Sequence, residues 1–76
     1  MADDQASDTL NERVAREVRS ARDEQRLTQA ELADKAGISR PTVARVEAGE
    51  DVSTATLEKI AAALGLKVEL TRDRRI

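Results

Sequence analysis

The chain has no cysteine and no histidine. The first absence excludes disulfides and thiolate metal sites, and the second removes the usual general base and the commonest metal ligand. Ser, Thr, Lys, Asp and Glu remain, but no spacing among them makes a nucleophile–base pair. An enzyme is not expected, and neither a cofactor nor a metal is implied. Phe, Tyr and Trp are absent too, and proline occurs once, at Pro41. A core must then come from Leu, Ile, Val and thirteen alanines on closely approaching helices. The 76 residues make one domain, which hides only about 60% of its unfolded surface. Small cores of this kind often draw help from a second subunit. No apolar run approaches the roughly 20 residues of a membrane span. Met1-Ala2-Asp3-Asp4 is acidic where a signal peptide would be basic and then apolar, so a cytoplasmic protein with no membrane partner is expected.

The net charge of −2 is unevenly spread. Residues 1–12 carry Asp3, Asp4, Asp8 and Glu12 with no cation, whereas residues 13–48 hold eight Arg/Lys against six Asp/Glu. The middle of the chain is therefore mildly basic, which the acidic start conceals in the total. Binding to a polyanion depends on where cations face rather than on their sum.

Residues 1–9 lack apolar periodicity and read as a flexible acidic arm. From Leu10 to about Gln25, Val14, Val18 and Ala21 recur at helical spacing, with Thr9 or Asn11 as the cap. On this helix Arg13, Arg16 and Arg19 read as a solvated face. Thr28 and Glu31 form a capping box for a second helix running to about Lys35. Ser39 caps a third, with Pro41 in its first turn where a missing N–H costs nothing. Ser53 caps a fourth, in which Leu57, Ile60, Ala61 and Leu64 share a face. Gly37, Gly49 and Gly65 each follow a helical segment, where the left-handed conformation stops a helix without strain. Beyond Gly65 the period changes. Leu66-Lys67-Val68-Glu69-Leu70-Thr71 alternates like a half-buried strand, and a basic tail follows over residues 72–76. A lone strand must find its partner outside its own chain.

The segment from Leu27 to Gly49 encodes a short helix, a tight turn at Ala36-Gly37-Ile38 and a second short helix. Neither helix would persist alone; Leu32, Ala33, Ile38, Val43 and Val46 converge to hold them. The chain resembles the Cro/C1-type (Xre-like) helix-turn-helix family of transcriptional regulators, which includes the lambdoid phage repressors. The likeness runs from about Val14 to Leu64. It is carried by Leu27-Thr28-Gln29, Glu31-Leu32-Ala33, Ala36-Gly37-Ile38-Ser39, Val43, Val46-Glu47, Gly49 and Leu57 through Gly65.

The resemblance implies an all-α, four-helix, lambda-repressor-like domain over residues 10–65 that binds double-stranded DNA. Gln29 would hydrogen-bond a phosphate, Thr42 a phosphate or a base edge, and Thr28 and Ser39 would belong to the same DNA-binding set. Arg40, Pro41, Ala44 and Arg45 fall where the family reads bases, and Arg22 with Glu47 matches a structural ion pair. Two residues depart from the pattern: Arg26 where many relatives have Gly, and Pro41 where a polar residue is commoner. The expected assembly is a homodimer on a palindromic operator, joined by residues 66–71 with Leu66, Val68 and Leu70 at the interface. A repressor is expected, and a small domain of this type with a short strand extension resembles the antitoxin branch of type II toxin–antitoxin systems, with a cognate toxin as partner. The alternatives are a restriction–modification controller, or a protein-interaction module of the same fold that does not read DNA.

Overall fold

A computed structural model describes residues 9–68. It contains helices α1 (Leu10–Glu24), α2 (Gln29–Ala36), α3 (Arg40–Glu47) and α4 (Thr54–Leu64), with no strand among the described residues. Each helix opens on a hydroxyl cap that satisfies an otherwise orphaned N–H. Thr9 caps α1 in a reciprocal box: its Oγ1 accepts from the Glu12 N–H at 3.0 Å, and its own N–H donates to Glu12 Oε1 at 3.0 Å. Asn11, the other candidate cap, instead donates its side-chain amide to Asp51 and ties the first turn of α1 to the loop after α3. Thr28 and Glu31 form a second box at the start of α2.

The helices end by different means. Gly37 and Gly65 close α2 and α4 in the left-handed conformation. Helix α3 is capped by Ala48 in right-handed geometry, and Gly49 follows at φ +81°. Gln25 caps α1, and Arg26, not a glycine, takes the left-handed position at φ +58°. That conformation presses an L residue's Cβ toward the neighbouring carbonyl.

Every helix contributes two residues to one core: Val18 and Ala21, Leu32 and Ala33, Val43 and Val46, Ile60 and Leu64. Leu32 and Val43 have no exposed surface. Half-buried Val14, Leu27, Ile38 and Leu57 pack around this cluster. Helices α3 and α4 each lie against both α1 and α2, so the first two helices form the support on which α3 is displayed. Past Gly65, Leu66 folds back on the core, its N–H donating to the Ala61 carbonyl at 2.8 Å, whereas Val68 is 62% exposed. Residues 66–68 have no regular structure. The remainder of the expected strand, including Leu70, lies outside the described residues, as do residues 1–8 and the basic tail. None of the described helices is long and apolar enough to cross a membrane.

Candidate nucleic-acid interface

Helix α3 is only two turns long, so burying Val43 and Val46 decides where its other side chains go. Arg40, Pro41 and Arg45 are exposed, and Ala44 and Thr42 are half-buried on its flanks. A helix about 10–12 Å across fits a major groove about 12 Å wide. The outer face of α3 therefore has the size and cations to meet base edges. The Arg40 guanidinium makes no hydrogen bond or ion pair among the described residues. Arg45 Nε donates to Glu50 Oε1 at 3.4 Å, a contact made by two well-exposed side chains.

Ser39 and Thr42 serve the start of this helix. Ser39 Oγ accepts from the Thr42 N–H at 3.2 Å and lies 2.8 Å from Thr42 Oγ1. Both hydroxyls are thus engaged with each other, at the end of α3 where unpaired N–H groups would favour an anion. Thr28 holds the equivalent place on α2, its Oγ1 accepting from the Glu31 N–H at 3.0 Å.

Gln29, the first residue of α2, is half-buried and turned toward Glu47. Its Nε2 donates to Glu47 Oε1 at 3.1 Å. One amide N–H is committed there, which leaves the second N–H and the carbonyl oxygen for a further partner. Glu47 is the hub of this corner. Arg22 Nε donates to its Oε2 at 2.6 Å and Arg22 Nη2 to its Oε1 at 3.0 Å, a two-point fork with the carboxylate side chain 5% exposed. Arg22 Nη1 also donates to the Leu27 carbonyl at 2.8 Å, and Arg19 Nη1 donates to the Glu47 carbonyl. Burial alone would push the Glu47 carboxyl up. Hydrogen bonds from Arg22 and Gln29, with the charges of Arg22 and Arg19, outweigh it and hold the group below its ordinary range. The hydrogen bond to Glu47 drives Arg22 in the opposite direction, upward.

One carboxylate thus joins α1, α2 and α3, fixing the angle at which α3 is held out. Sequence reasoning paired Arg22 with Glu47 but missed that Gln29 and Arg19 join them. Arg19, read as one rung of a solvated ladder, donates to a carbonyl at the C-terminal end of α3. Glu50 was not singled out at all; its only signal is that it follows Gly49, where the chain turns back beside Arg45.

A short helix, a turn at Gly37 and a second short helix with its outer face open define a helix-turn-helix domain of the DNA-binding class. Residues 18–70 match the helix-turn-helix family HTH_3, and the chain belongs to that family. An immunity repressor protein of Bacillus phage phi105 is 41% identical over 56 residues, covering 72% of this chain and 39% of the repressor. The crystal structure of an HTH_3 family transcriptional regulator from Vibrio cholerae superposes with a TM-score of 0.69 at 28% identity, over 75% of this chain and 33% of the regulator. A chain of the HipA-HipB-O2-O3 complex gives a TM-score of 0.77 at 26% identity, over 90% of this chain and 97% of its own length. The chain spans well under half the length of the phage repressor and the Vibrio regulator.

Proposed function

We propose that this chain is a sequence-specific transcriptional repressor that binds a palindromic operator as a homodimer, with α3 as its reading helix. The observation that carries this reading is the exposure of Arg40 and Arg45 on the face of α3 opposite buried Val43 and Val46. Each guanidinium can reach guanine O6 and N7 together, and a good bidentate contact discriminates by about 1–3 kcal/mol. Pro41 and Ala44 offer only apolar contact, suited to a thymine methyl. Thr28, Gln29, Ser39 and Thr42 sit at the N-terminal ends of α2 and α3, where backbone N–H groups and the helix dipole favour phosphate. Phosphate contacts set the register; the two arginines read the sequence.

A dimer would place two copies of α3 in successive major grooves about 34 Å apart. Residues 66–71 are the proposed joint, with Val68, Leu70 and the side of Leu66 not seated on its own core covered by the partner; the exposure of Val68 leaves it available for that contact. Residues 1–9 then act as an acidic arm whose last residue, Thr9, caps α1, and 72–76 as a basic tail around a central domain of 10–65, in a cytoplasmic setting. Selection of bound sequences from random duplex DNA tests the proposal. It predicts an inverted repeat with half-site centres about one helical turn apart. Recovery of a single, unrepeated site would contradict the dimer, and no enrichment would contradict DNA reading.

A second reading is an autoregulating antitoxin, which binds a cognate toxin and represses its own promoter. Its support is the likeness, over nearly the full length of both chains, to a chain of the HipA-HipB-O2-O3 complex. Co-purification of this chain with the product of a neighbouring gene, together with loss of that product's toxicity, tests it.

A further inference from the structure

Glu50 has no part in the core, the caps or the Arg22–Glu47 cluster, yet two separate bonds hold it at Arg45. Its backbone N–H donates to the Arg45 carbonyl at 3.1 Å, as the chain reverses after α3. The reversal depends on Gly49 at φ +81°, a conformation L side chains rarely adopt. Its side-chain Oε1 accepts from Arg45 Nε at 3.4 Å. An exposed Arg–Glu pair is ordinarily worth little, because two long side chains must be immobilised to form it. Here the backbone bond has already placed the two residues together, which removes part of that cost.

The position of the contact on the guanidinium is informative. A guanidinium presents five N–H donors in a flat fork: one on Nε and two on each Nη. Glu50 occupies the Nε edge, and among the described residues nothing uses the Nη1 and Nη2 pair at the tip. The tip pair is the end-on fork that meets guanine O6 and N7 together. A carboxylate beside a DNA-facing arginine also repels phosphate, so as a mere surface charge it would weaken binding to every sequence alike.

We propose that Glu50 is a positioning residue for base reading: it holds Arg45 by its Nε edge and presents the guanidinium tip to a guanine. This rests on the reading that α3 faces bases. Glu50 raises discrimination at one base pair at some cost in overall affinity. The exchange follows from preorganisation, since a side chain held in its bound rotamer loses less freedom on contact.

The test compares full-length wild type, Glu50→Ala, Glu50→Gln and Arg45→Ala. Each is titrated against a duplex selected by the wild type from random DNA, and against duplexes with each base pair replaced in turn. Arg45→Ala should erase the preference at one G·C pair. Glu50→Ala should reduce that same preference about five-fold or more, within the span of one bidentate contact. Glu50→Gln keeps an acceptor oxygen and should fall between Glu50→Ala and wild type. Thermal melting should be unchanged in all three variants, since Arg45 and Glu50 are both exposed. If Glu50→Ala instead strengthens binding to all duplexes by one common factor and leaves the preference intact, the positioning role is overturned. A wild type that shows no preference erased by Arg45→Ala overturns the base-reading role of α3 as well, a separately recognisable result.

Discussion

A carboxylate with 5% of its surface exposed must be paired or lose its charge, and Glu47 is paired on both oxygens and at its carbonyl. Breaking such a pair leaves the half-buried Arg22 guanidinium with only the Leu27 carbonyl and the exposed Asp23 carboxylate, so Glu47→Gln should cost roughly 2 kcal/mol at pH 7. The cost should depend on pH with a definite sign. The folded-state pKa of Glu47 lies below its unfolded value, so its stabilisation is full above about pH 4.3 and is lost as pH falls through the folded value. Denaturant unfolding of wild type and Glu47→Gln should therefore differ widely at pH 7 and converge as the pH is lowered past the folded-state value. A gap that stays constant over that range would show that the charge on Glu47 is not what stabilises the corner. The Arg22–Glu47 match was legible in the sequence through family likeness. Gln29 and Arg19 were not, since their partner lies 18 and 28 positions away and only the packing of α2 and α1 on α3 brings them together.

At the scale of elements, the helix boundaries were largely legible because local chemistry sets them. Hydroxyl caps at Thr28, Ser39 and Ser53 and left-handed glycines at Gly37 and Gly65 act within a few residues of themselves. The start of α1 was ambiguous between Thr9 and Asn11 for the same reason: both can cap, and the choice fell to Asp51, forty residues on, which takes the Asn11 side chain. The turn between α1 and α2 departs from the glycine rule. Arg26 sits there at φ +58°, held by its N–H donating to the Asp23 carbonyl at 3.0 Å and the Leu27 N–H donating to the Arg22 carbonyl at 3.1 Å. Left-handed backbone costs a non-glycine residue about 1 kcal/mol, part of which glycine gives back through greater unfolded-state freedom. Arg26→Gly should therefore raise stability by up to about 0.6 kcal/mol, a few degrees in melting temperature. A drop in melting temperature would mean that the Arg26 side chain makes a stabilising contact outweighing its backbone strain.

For the whole molecule, an aliphatic core with two residues from each helix suffices to place α3, but it leaves Val68 uncovered. The proposed paired-strand dimer rests on the alternation of residues 66–71, a pattern whose second half lies beyond the described residues. Removal of residues 66–76 should shift sedimentation equilibrium from dimer to monomer while leaving the helical circular dichroism in place. An unchanged mass would reject the strand as the joint. Charge also acts at this scale. The net −2 hides a basic middle, so DNA affinity should fall steeply with added salt despite the acidic total.

Binding of the full chain to its selected duplex, before and after Arg40→Ala together with Arg45→Ala, addresses the reading face itself. Both side chains are exposed, so the double variant should melt like the wild type. It should nevertheless bind the selected duplex about 100-fold more weakly and lose its preference over random DNA. Wild-type affinity and preference in the double variant would contradict the assignment of the outer face of α3 as the surface that reads DNA.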